Sequence, residues 1–100
     1  MEIEFDATKD ASNQTKHGVS LALTAKLDWD TALVWEDARY EYGELRMIAL
    51  APEVNTLYCV AFVDRGEVRR IISLRPANRR ELTLPALKRR GFLVHRPDLD

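Results

Sequence analysis

Seven consecutive residues, Leu57-Tyr58-Cys59-Val60-Ala61-Phe62-Val63, carry no charge and offer apolar side chains to both faces of an extended chain. A strand of that kind is stable only when it is covered on both sides, so the pattern predicts a central strand. The run is far short of the roughly 20 residues a membrane helix needs. A chain of 100 residues has room for one such core and no second. Its 46% hydrophobic and 31% charged residues are the balance of a globular chain. A single cysteine, Cys59, rules out an internal disulfide framework and a four-cysteine zinc site. The acidic start Met-Glu-Ile-Glu-Phe-Asp lacks the basic opening of a signal peptide. Together these features predict a small, soluble, cytoplasmic domain.

The rest of the architecture is built outward from that strand. Glu2-Ile3-Glu4-Phe5-Asp6 alternates polar and apolar residues, as a short half-buried strand does. Asp6 or Thr8 is placed to cap a helix running toward Lys16, and Gly18 to end it in a left-handed conformation. Residues 20–29 suit a second helix, although the spacing of two between Leu21, Leu23, Ala25 and Leu27 also fits a strand. Strands are predicted at residues 32–35, 45–51, 56–63 and 68–74, with a hairpin loop at 52–55 and a tight connection at 64–67. A last helix is expected from Pro76 to about Arg80, with the proline in its first turn. The class is therefore α+β: N-terminal helices packed on an antiparallel meander, followed by a C-terminal helix.

The net charge of −1 hides two blocks of opposite sign. Through Asp64 there are twelve acidic and five basic residues; from Arg65 to Arg96 there are ten basic residues and only Glu67 and Glu81. A basic block can attract phosphates, or it can face the acidic half of its own domain. Eleven of the fifteen cations are arginine, whose planar fork matches phosphate oxygens in pairs. On a regular strand Arg69, Ile71, Ser73 and Arg75 would share one face and Arg70, Ile72 and Leu74 the other. Arg75, Arg79 and Arg80 would gather at the strand-to-helix junction. Glu44 and Arg46 would lie on one strand face and pair there. His17 either transfers a proton near neutrality or caps the end of the first helix. Trp29, Trp35, Tyr40 and Tyr42 are candidate anchors for a protein partner, with Trp35 expected to be more of a core residue than Trp29. No phosphate loop, metalloprotease helix, nucleophile elbow or calcium loop occurs, so neither a metal nor a nucleotide cofactor is predicted.

The order Glu4-Phe5-Asp6, Lys16-His17-Gly18-Val19, Asp37-x-Arg39, Gly43-Glu44-x-Arg46 and Arg70-Ile71-Ile72-Ser73-x-Arg75-x-Ala77-x-x-Arg80-Glu81 resembles the BrnT toxins of type II toxin–antitoxin modules. Residues 1–81 would form the BrnT-like domain, and residues 82–100 a divergent tail packed on it or extending from it. The resemblance implies a RelE-like fold and a metal-independent endoribonuclease, without cofactor, that inhibits translation. In such cleavage the RNA's own 2′-hydroxyl attacks the phosphate. The implied site comprises Lys16, His17, Glu44, Arg46 and Arg70 as catalytic residues and Arg69, Arg75, Arg79 and Arg80 as phosphate contacts. Its implied partner is a BrnA-type antitoxin with a ribbon-helix-helix domain, forming a heterotetramer that reaches operator DNA only through the antitoxin. No membrane partner is implied.

The family's Arg-Arg-Glu is usually followed by a helix reaching a tyrosine, whereas Pro85 would break such a helix here. The alternative reading is therefore a catalytically inactive homologue that still binds its antitoxin and supports repression. A plain RNA-binding module using the arginines and tyrosines is a third.

Overall fold

The computed structural model describes residues 1–89. Five strands form one sheet in the order β1-β5-β4-β3-β2, with β1 Glu2–Glu4, β2 Leu33–Glu36, β3 Met47–Glu53, β4 Thr56–Arg65 and β5 Val68–Pro76. The last four strands are an antiparallel meander, and β1 joins β5 in parallel. Helix α1 (Ala7–His17) and a 3₁₀ helix (Leu21–Lys26) precede the meander; α2 (Arg79–Leu82) and α3 (Pro85–Arg89) follow it. Among the described residues no helix is long and apolar enough to cross a membrane.

Strand β4 is central and buried on both faces. Val60 and Phe62 pack on the first face with Ala49, Ile71, Leu74, Leu21 and Leu27, under the 3₁₀ helix and its flanks. Leu57, Cys59 and Ala61 pack on the second face with Ile48, Leu50 and Leu87. Burial pushes the Cys59 thiol up to about 12, so it behaves as a small apolar core residue.

Several boundaries differ from those the sequence predicts. Residues 20–29 form neither an α-helix nor a strand but six residues of 3₁₀ helix, capped by Ser20. Leu21 and Thr24, one 3₁₀ turn apart, both point into the core. The hairpin after β3 is shorter than the predicted loop, because Pro52 pairs with Leu57 and Glu53 with Thr56. Pairing with β2 stops at Leu50, so the edge beyond it is free of that strand and tolerates a proline. Pro76 does not open a helix: it ends β5 opposite Tyr58, and Asn78 caps α2 in a capping box with Glu81. The break expected at Pro85 is present: helix α2 ends at Leu82, and Pro85 starts the separate α3.

The change with most consequence is a bulge in β5. The register steps from Ala61↔Ser73 to Phe62↔Ile71, leaving Ile72 without an opposite number. Arg70 faces Val63 and Arg75 faces Cys59, so these two arginines lie on the same, second face. Arg69, Ile71 and Leu74 lie on the first. The strict alternation expected from sequence, which separates Arg70 from Arg75, is thus broken by one inserted residue.

Helix α1 has the predicted ends, with Asp6 accepting from the Lys9 N–H and Gly18 in the left-handed region at φ 73°. Eleven residues are too few to hold a helix on their own. Its one buried side chain, Asn13, fixes it to the sheet. The Asn13 amide donates to the Leu74 carbonyl at 2.8 Å and to the Val19 carbonyl at 2.9 Å, and accepts from the Leu74 N–H at 3.0 Å. Strand β1 pairs only with Val68–Arg70, so beyond it Asn13 does for Leu74 what a neighbouring strand would do. Asn13→Ala would strand a buried N–H and a buried carbonyl and is expected to destabilise the domain by about 3 kcal/mol. Asn13→Asp should be no better, since it sets a carboxylate against two carbonyl oxygens. Urea unfolding midpoints for both variants check this.

Candidate functional site

Two groups of charged side chains lie at opposite ends of β5. The first surrounds the loop of residues 37–46, which joins β2 to β3 beside the β4–β5 turn. The side chain of Asp37 is buried, yet it is the anchor of this loop. It accepts from Arg39 Nε at 2.8 Å, from a second nitrogen of the same guanidinium at 2.9 Å, and from the Tyr42 hydroxyl at 3.0 Å. Its backbone N–H donates to the Arg46 carbonyl at 2.8 Å. Hydrogen bonding by Arg39 holds the Asp37 carboxyl far below the usual range against the opposing effect of burial, and Asp37 in turn raises Arg39. Arg46 lies with its Nε 3.6 Å from Asp37 and its guanidinium 4.4 Å from the Tyr42 ring centroid. That buried Nε makes no hydrogen bond.

Glu44 and Arg46 do not pair as predicted, because residues 37–46 form a loop and not a strand. Glu44 instead accepts from Arg65 at 2.9 and 3.3 Å, across the end of the sheet. Arg65 holds the Glu44 carboxyl below the usual range, and Arg70 is near enough to add to the effect. Arg70 donates to Glu4 at 3.1 Å, and Glu4 acts in turn on Arg65. Glu4, Arg70, Glu44 and Arg65 therefore form one alternating cluster, with every member partly open to solvent.

The second group lies at the other end of β5. Arg75 forks onto Glu81 at 2.8 and 2.9 Å, so it clamps α2 to the strand. Burial alone would raise the Glu81 carboxyl, but hydrogen bonds from Arg75 and the Asn78 N–H outweigh it and leave Glu81 lowered. Arg79 and Arg80 are exposed on α2. Lys16 and His17 are exposed at the end of α1, one turn beyond the Asn13 contact with Leu74. Arg70 and Leu74 are four residues apart, roughly 13 Å along a strand. The structure therefore gathers Glu44, Arg46 and Arg70 at one end, and Arg75, Arg79, Arg80, Lys16 and His17 at the other.

Two sequence-predicted positions have partners within the fold. Arg69 forks onto Asp64 at 2.7 and 2.9 Å, and its guanidinium lies 4.6 Å from the Trp29 ring and 4.2 Å from that of Phe62. It is on the first face and already engaged. Trp29 packs edge-on to Phe62 at 5.4 Å and donates to the Thr24 carbonyl at 2.9 Å. The expected order of the tryptophans is reversed: Trp29 belongs to the core, and Trp35 on edge strand β2 is 38% exposed. Tyr40 is 70% exposed, and Tyr42 is half-buried.

Sequence reasoning singled out neither Asp37 as the anchor nor Arg65 and Glu4 as members of the cluster. Arg65 and Glu4 pair with charges distant in sequence, which only the register reveals, whereas Asp37 had a local signal in Asp37-x-Arg39. Among the described residues, no three or more His, Cys, Asp or Glu side chains are grouped to hold a metal ion.

The Asp37 anchor has a pH signature. Its carboxyl is depressed on folding, so its stabilisation is complete above the unfolded value near 4 and is lost as pH falls through the lower folded value. Asp37→Ala is expected to cost about 2 kcal/mol at neutral pH, below the figure for a fully buried pair because Arg39 is solvated. The gap between wild type and variant should hold from pH 7 to 5 and narrow below 4, as measured by urea titrations at each pH.

A family model for the ribonuclease toxin BrnT of type II toxin–antitoxin systems matches residues 5–81. No curated protein matches the chain. The match runs from just after β1 through the capping box of α2 and takes in both charged groups except Glu4. The chain thus belongs to the BrnT family of ribonuclease toxins, which implies an antitoxin as its partner.

Proposed function

We propose that this toxin is a metal-independent endoribonuclease whose reaction centre is the Glu4–Arg70–Glu44–Arg65 cluster. The observation that carries this reading is the alternation of two carboxylates and two guanidiniums, all partly open, beside a loop fixed by Asp37. RNA cleavage through the 2′-hydroxyl needs a base for that hydroxyl and cations for the charged phosphorane. Arg70 and Arg65 supply the cations, Glu44 takes the 2′-hydroxyl proton, and the 5′-oxygen leaves as its bond to phosphorus breaks, taking a proton from solvent. In the free protein Arg65 holds Glu44 ionised and weakly basic. A phosphate competes for Arg65, and as Arg65 turns toward it Glu44 regains basicity next to the nucleophile. Arg46, fixed on Tyr42, adds positive charge at the loop side of the phosphate.

The β5 bulge sets Arg75 on the same face as Arg70, where its fork onto Glu81 holds α2 and its exposed arginines beside the path of an RNA strand that leaves the cluster. Arg79 and Arg80 extend that path, and Lys16 and His17 lie beside its far end. The antitoxin in this reading is a BrnA-type ribbon-helix-helix protein, docking on the exposed Trp35 of β2 and forming a heterotetramer that binds operator DNA through the antitoxin. The family match stops at Glu81 and α2 stops at Leu82, which favours a second reading, a non-cleaving homologue that retains antitoxin binding and co-repression.

Incubation of the purified chain with ribosome-free RNA in EDTA tests the proposal. Wild type should leave 2′,3′-cyclic or 3′-phosphate ends, and Arg70→Ala and Glu44→Gln should each lower the rate a hundredfold or more, on the order expected for losing a phosphorane cation or a general base. His17→Ala should leave the rate within about twofold. A large loss in His17→Ala, with a rate limb near neutrality where imidazoles titrate, would move proton transfer to the other end of β5. Intact RNA from folded protein, with or without ribosomes, would favour the non-cleaving reading.

The release of Glu44 by substrate also has a kinetic signature. The acid limb of kcat/KM reports the free enzyme, where Arg65 depresses Glu44; the limb of kcat reports the complex, where it does so less. The limb of kcat should therefore fall at higher pH than that of kcat/KM. Coincident limbs would remove this step.

A further inference from the structure

We infer that Tyr40 is a stacking platform for one unpaired base of the RNA; the inference rests on the reading of the Glu44–Arg65 cluster as the phosphate site. Tyr40 is the most exposed aromatic ring among the described residues, yet it is held in place. Its ring packs edge-to-face on Tyr42 with centroids 5.9 Å apart, and the Arg39 guanidinium lies 6.0 Å from its centroid. Both supports are tied to Asp37, Arg39 through two nitrogens and Tyr42 through its hydroxyl. A ring left exposed but packed on two side chains that Asp37 holds loses little freedom when a flat ligand covers it.

The surroundings point to a base. Residues 36–46 line an open depression of about 650 Å³. Tyr40 and Glu44 are four positions apart, a span of at most about 14 Å, so a base on Tyr40 belongs to the same short RNA stretch as a phosphate on Arg65. Aromatic rings beside arginines are how proteins hold single-stranded nucleic acid with little sequence preference. Glu36 and Glu41 are exposed in the same segment and repel phosphate. The RNA backbone therefore passes on the Arg65 side, and only an uncharged base reaches the ring.

The test measures equilibrium binding of the full-length chain to a labelled 2′-O-methyl RNA, which cannot be cut through its 2′ position, and to the same strand with abasic residues. Wild type should bind the base-bearing strand about tenfold more tightly, in the range of one stacked base. Tyr40→Ala should abolish that preference and leave affinity for the abasic strand unchanged, while Tyr40→Phe retains it. Arg70→Ala should weaken both strands alike, which separates the phosphate site from the platform. A base preference that survives Tyr40→Ala overturns the platform while leaving the phosphate site intact. Failure of wild type to bind either strand overturns both. Unchanged RNA binding in Tyr40→Ala, with loss of antitoxin affinity, would make Tyr40 a protein-docking residue and likewise overturn the inference.

Discussion

Strand β4 has apolar side chains on both faces, and most of the fold follows from the need to cover them. Its first face requires the 3₁₀ helix with Leu21, Leu23 and Leu27. Its second requires the short C-terminal helices with Leu82, Leu84 and Leu87. Hydrophobic burial has no direction, however, and does not say where along the sheet the coverage stops. Coverage of the second face is concentrated at the α2–α3 end. At the other end, charged side chains from β1, β4, β5 and the 37–46 loop meet one another. The site proposed above lies in the part of a two-faced sheet that its small helices do not reach.

The arginines there serve two conflicting needs. A face dense in like charge destabilises a small domain, and a phosphate site needs cations that are not irreversibly engaged. The chain meets both with carboxylates, supplied by its acidic half except for Glu81. Arg69 and Arg75 are committed: one is stacked on Trp29 and Phe62 and forked on Asp64, the other is forked on the Glu81 that caps α2. Arg65 and Arg70 hold their carboxylates in the open, where ion pairs contribute little and exchange readily. Opposite blocks of charge thus neutralise each other within the domain and still leave replaceable partners at one end of the sheet.

Much of this was legible from the residues. The apolar run gave the central strand, Asp6 and Gly18 bounded α1, and the ordered charged motifs led to the family. What was hidden depends on register. Alternation assigns Arg70 and Arg75 to opposite faces, and only the bulge at Ile72 reunites them. No local signal announces a single extra residue in a strand whose neighbours are all compatible with β structure. The Glu44–Arg46 pairing failed for a related reason. Their spacing of two has meaning only in a strand, and the buried Asp37 bends that segment into a loop by collecting Arg39 and Tyr42.

The tryptophans show the same limit from another side. Composition says that large aromatics are buried, and neither hydropathy nor spacing ranks Trp29 against Trp35. The difference is topological. Trp29 follows the 3₁₀ helix, can donate to the Thr24 carbonyl and lies against Phe62, so its polar tip and apolar body are both satisfied. Trp35 sits on β2, which lies at the end of the strand order and has only β3 beside it. Edge strands normally limit exposed apolar surface, because it invites pairing with other chains. An exposed tryptophan there weakens the isolated domain's defence against association, and folding alone supplies no reason for it, which is the ground for proposing Trp35 as the place where a partner docks.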